Sequence, residues 1–218
     1  MTAVPDTAPG PTPGSPASDR ISRFDATERL VHWLTAGLVL VLVATGAVMW
    51  LEPLAGAVGH RDLVRTLHFV VGALVAVPLV VGLVAPRRGR RLRADARALE
   101  RLDAADRAWL RRRPGPGPGK FNAGQKLNAA LLLGSGAVLL LTGVMLRTAT
   151  TYPVSIRTGA TFVHDWFALG LTLLVLGHVA LALRDPGALG GMVRGSVTSA
   201  WARRHHPRWA DGEPTTPR

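Results

Sequence analysis

The chain has 218 residues, and it combines long apolar runs with a formal charge of +12 and an isoelectric point near 11.7. This length corresponds to one domain or two. A nucleic-acid-binding protein would account for the charge but not for the apolar runs, whereas a membrane protein with basic surface segments accounts for both. The chain has no cysteine, which excludes disulfides, thiolate zinc sites, iron–sulfur ligation and covalent c-type haem. A bound metal must therefore be held by histidine or methionine.

The first 22 residues are predicted to form a disordered tail. The stretch MTAVPDTAPGPTPGSPASD is rich in proline, alanine, serine and threonine and has no apolar periodicity. It also lacks the basic stretch followed by an apolar core that a signal peptide needs. We therefore expect the first apolar run to remain in the protein as its first helix.

Four apolar runs are long enough to cross a bilayer, at about residues 31–51, 66–85, 127–146 and 159–183. A helix needs roughly 20 residues to cross the hydrocarbon core. The first three runs contain no Asp, Glu, Lys or Arg, and the fourth contains only Asp165, near its start. Pro78 and several glycines within the runs are tolerated better in membrane helices than in soluble ones. The sequence therefore predicts an all-α fold, a four-helix transmembrane bundle over residues 23–183.

The arginines predict the orientation of this bundle. They are concentrated in the predicted loop at 86–126 and recur in the C-terminal tail, residues 184–218. The loops on the other side carry few, such as Arg61, Arg147 and Arg157. Because cytoplasmic segments of membrane proteins are enriched in Lys and Arg, both termini and the 86–126 loop are predicted to be cytoplasmic. This signal also accounts for the basic isoelectric point without nucleic acid.

Four of the seven histidines lie within or at the ends of the predicted helices: His32, His68, His164 and His178. Ionisable side chains at membrane depth are rare and mark functional sites. The predicted topology places His32 and His178 in the cytoplasmic half of the membrane. It places His68 and His164 in the periplasmic half, so that each leaflet contains one pair.

The spacing on the fourth helix indicates what these pairs bind. His164 and His178 are 14 residues apart, which is roughly 21 Å along a helix and about 40° around it, so both face the same side of the bundle. Two neutral imidazoles facing each other across a bundle can hold a b-type haem, and two such haems would relay electrons across the membrane. The alternative is that each histidine is a core residue hydrogen-bonded to a neighbouring helix. The remaining histidines are expected to be solvated: His60, His205 and His206.

Several motifs together carry a family resemblance. They are RFDATERLVHW at 23–33, GKFNAGQK at 119–126, the spacing from His164 to His178, and VTSAWARRHHPRW at 197–209. Together they resemble the gamma subunit of membrane-bound respiratory formate dehydrogenase, a dihaem cytochrome b556. The resemblance covers roughly residues 21–209, nearly all of the chain outside the N-terminal tail.

The resemblance implies two haem b groups and a menaquinone site. The periplasmic haem would be held by His68 and His164, and the cytoplasmic haem by His32 and His178. The quinone would lie beside the cytoplasmic haem, against a short motif: Asn122, Gly124, Gln125 and Lys126. An Asn amide and the backbone at a glycine can donate hydrogen bonds to quinone oxygens, and a lysine can assist electrostatically. From the residues alone, the asparagine is instead the N-cap of the third helix.

The function that the resemblance implies is that of a membrane anchor and electron-transfer subunit in anaerobic respiration on formate. A catalytic alpha subunit with molybdenum or tungsten would oxidise formate, and an iron–sulfur beta subunit would pass the electrons to this chain in the bacterial inner membrane. The chain itself would contribute only the quinone step, and oligomers of the heterotrimer are left open. One alternative is the same role beside another dehydrogenase, such as a nickel–iron hydrogenase. Another is a haem-free structural anchor.

Overall fold

A computed structural model describes residues 19–212 of the chain. Its strands and helices follow in chain order: β1 (Arg20–Ser22), α1 (Ala26–Trp50), α2 (Glu52–Val58), α3 (Arg61–Leu74), α4 (Val77–Val84), α5 (Arg90–Glu100), α6 (Ala104–Leu110), α7 (Ala123–Arg147), a 3-10 turn (Ala149–Thr151), α8 (Val154–Arg184), α9 (Pro186–Arg194), β2 (Ser196–Thr198), α10 (Ser199–His205) and α11 (Pro207–Ala210). Residues 1–18 of the tail that was predicted to be disordered lie outside the described residues.

Four helical segments in this part of the chain are long and apolar enough to cross a membrane, which confirms the predicted helical bundle. They are α1, α3 continued by α4, α7 and α8. In the most apolar 18-residue stretch of each segment, only 6% to 11% of the residues are buried within the chain. The remaining apolar surface faces outwards, which is the arrangement that lipid requires and water does not favour.

Helices α1 and α7 begin earlier than predicted because each starts with a capping box. Asp25 accepts a hydrogen bond from the backbone N–H of Glu28 at 2.9 Å, and Glu28 accepts one from the backbone N–H of Asp25 at 2.6 Å. Asn122 and Gln125 form the same reciprocal pair at the start of α7, with both distances 2.9 Å. These bonds satisfy backbone donors that the first turn of a helix otherwise leaves unpaired. The polar first turns lie outside the apolar runs, so hydrophobicity alone did not include them.

The second membrane segment is interrupted between α3 and α4. Helix α3 ends at Leu74, α4 begins at Val77, and Pro78 lies in the first turn of α4. Proline has no backbone N–H and its ring collides with the carbonyl four residues earlier, so it breaks the regular helix at this point.

The two ends of the chain meet at one end of the bundle. Strand β1 pairs antiparallel with β2, with Ile21 opposite Val197. Residues 20–22 are thus ordered, contrary to the prediction, because the pairing partner lies more than 170 residues later in the chain. The carbonyl of Gly195 accepts hydrogen bonds from the N–H groups of Arg23 and Phe24 at 2.8 and 3.1 Å. Gly195 has a φ of 86°, a conformation that glycine adopts without strain.

Residues 185–210 of the C-terminal tail fold back onto this end. His206 was predicted to be solvated, but only 2% of it is exposed. Its Nδ1 lies 2.7 Å from the carbonyl oxygen of Gly119, and its Nε2 lies 3.2 Å from Nη2 of Arg23. The other two histidines of that group, His60 and His205, are exposed as predicted. We call the end where residues 20–29, 86–126 and 185–210 meet the basic end.

Candidate functional site

The structure brings the four predicted histidines together as two pairs. His32 on α1 faces His178 on α8, with ring centroids 6.2 Å apart and ring planes at 59°. His68 on α3 faces His164 on α8, with centroids 6.4 Å apart and planes at 65°. The first pair lies towards the basic end and the second towards the opposite end of the bundle.

The spacing within each pair fits a metal ion bound between two imidazoles. A metal–imidazole nitrogen bond is about 2 Å long, and a ring centre lies about 1.2 Å behind its nitrogen, so two rings on opposite sides of one ion have centres roughly 6.4 Å apart. The observed separations of 6.2 and 6.4 Å match this value. The donor set, two imidazoles and no thiolate, fits a haem iron.

Hydrogen bonds orient both rings of the second pair. The hydroxyl of Thr45 donates to the carbonyl of Val41 at 2.7 Å and lies 2.8 Å from Nδ1 of His68. Its single proton is used by the carbonyl, so the hydroxyl accepts the Nδ1–H of the imidazole. This leaves the Nε2 lone pair free to bind a metal, which is the arrangement usual for metal-ligating histidines.

The partner ring is held in the same way on the other half of the bundle. Thr142 donates to the carbonyl of Val138 at 2.8 Å and lies 2.8 Å from Nδ1 of His164. The glycine that follows each threonine lies against the ring. A Cβ built at Gly46 or Gly143 lies 3.6 or 3.5 Å from the Cε1 atom of the neighbouring histidine. Both distances are ordinary van der Waals contacts, so the backbone of each helix packs closely against the ring.

The two threonines belong to an internal repeat that was not predicted from the sequence. Residues 23–50 match residues 120–147 with an offset of 97, the separation of Arg23 and Lys120. The repeated pattern comprises a basic residue, phenylalanine, a capping box, an internal glycine and a Thr-Gly pair: Arg23/Lys120, Phe24/Phe121, Asp25/Asn122, Gly37/Gly134, Thr45/Thr142 and Gly46/Gly143. A search for self-similarity would have identified both threonines.

The pair at the basic end has a different environment. Among the described residues, no side chain hydrogen-bonds the ring of His32 or His178. The ring of Trp33 instead packs edge-on against His32 with centroids 5.2 Å apart, and its Nε1 donates to the carbonyl of Met192 at 3.3 Å. The two pairs thus consist of the same residue type in different surroundings. Hydrogen bonds and packing around the ligands set the reduction potential of a haem.

The quinone-motif residues lie together at the start of α7, at the basic end. The side-chain oxygens of Asn122 and Gln125 accept the hydrogen bonds of the capping box. Asn122 is therefore the N-cap of α7, as the residues alone predicted. Their amide nitrogens make no hydrogen bond within the described part of the chain and remain available as donors. Lys126 Nζ is occupied, since it donates to Asp106 at 2.5 Å and to the carbonyl of Arg101 at 2.9 Å.

Gly124 allows a close contact that the sequence did not indicate. A Cβ at this position lies 3.3 Å from the Cη2 atom of Trp109 and 3.3 Å from Oδ1 of Asn122. Both distances are shorter than ordinary van der Waals contact, so the glycine lets the indole ring of α6 cover the first turn of α7. Trp109 therefore forms one wall beside the amide nitrogens of the motif.

The chain matches a known family over most of its length. The family model described as prokaryotic cytochrome b561 matches residues 23–195. The cytochrome b556(fdo) subunit of formate dehydrogenase from Escherichia coli K12 is 28% identical over 202 residues, covering 88% of this chain and 92% of the relative. The nitrate-inducible cytochrome b556(Fdn) subunit of the same strain is 27% identical over 208 residues, covering 88% and 91%.

A more distant relative gives the same result. The formate dehydrogenase cytochrome b556 subunit of Haemophilus influenzae Rd is 25% identical over 201 residues, covering 87% of this chain and 82% of the relative. Membership of a cytochrome b family implies haem b as the cofactor, and the paired histidines fit it. The apolar helices make the chain a multi-pass protein of the bacterial inner membrane. The match over residues 23–195, the four membrane helices and the donor set together show that this chain belongs to the prokaryotic cytochrome b561 family.

Proposed function

We propose that this chain is the membrane cytochrome b subunit of a formate dehydrogenase and passes electrons through two b-type haems to menaquinone. The observation that carries the proposal is the pair of facing imidazoles at each end of the bundle, 6.2 and 6.4 Å apart. The similarity to cytochrome b556 subunits of formate dehydrogenase supports formate as the source of the electrons.

The four histidines divide between the two haems. His68 and His164 hold the haem near the opposite end, and His32 and His178 hold the one near the basic end. A haem with two histidine ligands exchanges one electron at a time and keeps no position open for oxygen. Thr45 and Thr142 fix the tautomers of His68 and His164 by hydrogen bonds. The rings of the other pair are oriented by packing.

The orientation follows from the positive charges. The basic end carries most of the arginines and therefore faces the cytoplasm, together with both termini. Electrons then enter from the periplasmic side, from an iron–sulfur beta subunit that receives them from a molybdenum or tungsten alpha subunit. Carrying one charge across the membrane costs about 2.3 kcal/mol per 100 mV, so the overall free-energy drop from the electron donor to the quinone must be larger than this.

Menaquinone binds at the basic end, against the first turn of α7. The amide nitrogens of Asn122 and Gln125 donate to the quinone oxygens, and Gly124 allows the ring of Trp109 to line the site. Lys126 contributes a positive charge that Asp106 already balances in part. This subunit does no formate chemistry, because it has no cysteine for a cluster.

The test is a haem count on the chain purified from membranes. A reduced-minus-oxidised spectrum with a pyridine haemochrome assay should give two b-type haems per chain. His164→Ala and His178→Ala should each lose at least one haem, whereas His60→Ala, which removes an exposed histidine, should lose none. A folded wild-type chain without haem would make it a structural anchor.

The source of the electrons needs a separate measurement. Formate added to membranes that contain the partner subunits should reduce both haems, and the absorbance of reduced haem b should rise. If hydrogen reduces the haems and formate does not, the chain serves a hydrogenase, and the haem assignment is unaffected.

A further inference from the structure

Three ionisable side chains from distant parts of the chain meet inside the basic end. Lys120 Nζ lies 2.7 and 2.6 Å from the two carboxylate oxygens of Asp95 on α5, and 3.5 Å from Oε1 of Glu28 on α1. Only 7% of Lys120, 7% of Asp95 and 5% of Glu28 are exposed. Buried charges are costly unless they are paired, and here two carboxylates share one ammonium group.

One lysine cannot balance two buried carboxylates, which favours a proton on one of them. Asp95 and Glu28 both lie against Lys120 Nζ, at 2.6 and 3.5 Å. Burial and the neighbouring Glu28 raise the pKa of Asp95 to about 8, against the opposing effect of Lys120. Arg23 is a further positive charge that acts on Asp95. The pair therefore keeps an exchangeable proton near neutral pH.

The position of the cluster connects the haem and quinone sites. Glu28 precedes His32 by four residues on α1, which is one helical turn or about 6 Å, so the two side chains lie on one face. Lys120 precedes Asn122, the N-cap of α7, by two residues. On its other side the cluster is closed by α5, the arginine-rich helix of the 86–126 loop.

We propose that Glu28, Asp95 and Lys120 form a proton-transfer cluster that supplies the quinone oxygens at the Asn122 site from the cytoplasm. The inference rests on the proposed function, which supplies the quinone and its electrons. One quinone takes two electrons and two protons to become a quinol. For each proton, the carboxylic O–H bond breaks, a new O–H bond forms on a reduced quinone oxygen, and water at the surface of α5 reprotonates the carboxylate. Lys120 Nζ, 2.6 Å from Asp95, stabilises the carboxylate in between.

The experiment uses Asp95→Asn in membranes that contain the complete complex. Asparagine keeps the shape of the side chain but cannot release a proton at neutral pH. Adding menaquinol to oxidised membranes drives the site in reverse, and the rate of haem reduction should fall about 100-fold, the usual contribution of a positioned acid or base. Reduction of the haems by formate, measured without added quinone, should be unchanged. Asp95→Glu should restore most of the menaquinol rate.

A matched control separates the loss of a carboxylate from the loss of this cluster. Asp103→Asn makes the same change in the same loop, at the N-cap of α6, where asparagine also serves as a cap. It should leave both rates unchanged. Equal menaquinol rates in Asp95→Asn and the wild type, with haem content intact, would overturn the proposal. A wild type whose haems do not respond to menaquinol would instead overturn the proposed function.

A measurement on the wild type covers the case in which Asp95→Asn does not assemble. Infrared difference spectra between quinone-oxidised and quinol-reduced membranes should show a carbonyl band of a protonated carboxylic acid that changes between the states. The band should shift in heavy water. A difference spectrum without such a band would show that no carboxylic acid exchanges its proton, and the cluster would then be a structural clamp between α1, α5 and α7.

Discussion

Replacing Thr45 by valine removes one hydrogen bond from one histidine while almost preserving the shape of the side chain. In the structure the threonine hydroxyl accepts the Nδ1–H of His68 at 2.8 Å. Such a bond raises the basicity of the imidazole and favours the ferric form of the iron that it binds. We therefore expect Thr45→Val to raise the reduction potential of the haem that we propose is held by His68 and His164, and to leave the second proposed haem unchanged.

The magnitude follows from the strength of one hydrogen bond. A neutral hydrogen bond contributes about 1 kcal/mol net. We take this bond to be stronger in the ferric state than in the ferrous state by half to all of its net energy. For a one-electron couple, a tenfold change in the equilibrium constant is about 1.4 kcal/mol or about 59 mV, so the potential should shift by roughly 20–40 mV. Thr142→Val should have a similar effect on the same haem through His164, since the repeat places an equivalent bond there. The two shifts should add approximately if the sites act independently.

The assay is a potentiometric titration of the haem b absorbance in membranes. Thr172→Val is the matched control, because the hydroxyl of Thr172 donates only to the carbonyl of Ala168 on its own helix at 2.8 Å. The reasoning is refuted if Thr45→Val keeps both haems and changes neither potential. It is also refuted if Thr45→Val shifts both haems equally, since the bond touches only one pair.

Two further predictions concern the basic end. Burial and the guanidinium of Arg23 lower the pKa of His206 to about 4 from its usual 6.5. The stability that depends on neutral His206 is therefore fully present above pH 6.5 and is lost as the pH falls through 4. The total loss in the free energy of unfolding is about 3 kcal/mol. Tryptophan fluorescence should report release of the C-terminal tail in this range, and less change in His206→Gln would support the assignment. Gly124→Ala should displace the indole ring of Trp109, because the new Cβ comes within 3.3 Å of that ring, and a change in tryptophan fluorescence should report the displacement. Gly134→Ala, where a Cβ meets no atom within 4 Å, should leave the fluorescence unchanged.

The membrane helices and the histidine pairs were predictable from the sequence because both depend on local pattern. Apolar runs of bilayer length predict α1, α7 and α8 within a few residues at their apolar ends. The spacing of His164 and His178 places both on one side of α8 whatever the rest of the chain does. The capping boxes were visible in the sequence as well, as Asp25 with Glu28 and Asn122 with Gln125.

The tertiary structure alone decided which polar groups meet at the basic end. His206 and residues 20–22 were expected to be solvated or disordered because their own surroundings in the chain are polar. Their partners lie 87 or more residues away, and no local rule selects such partners. The same holds for Lys120, which meets Asp95 and Glu28 only after the loop folds back.

The sequence by itself thus determined that the chain crosses the membrane, because a bilayer imposes length and apolarity on each helix separately. It also predicted which histidines face each other across the bundle. Only the fold decided that Thr45 and Thr142 orient one pair of rings, and that two carboxylates share a lysine beside the other. A buried hydrogen bond depends on the relative placement of two elements, and that placement follows from packing rather than from the sequence of either element.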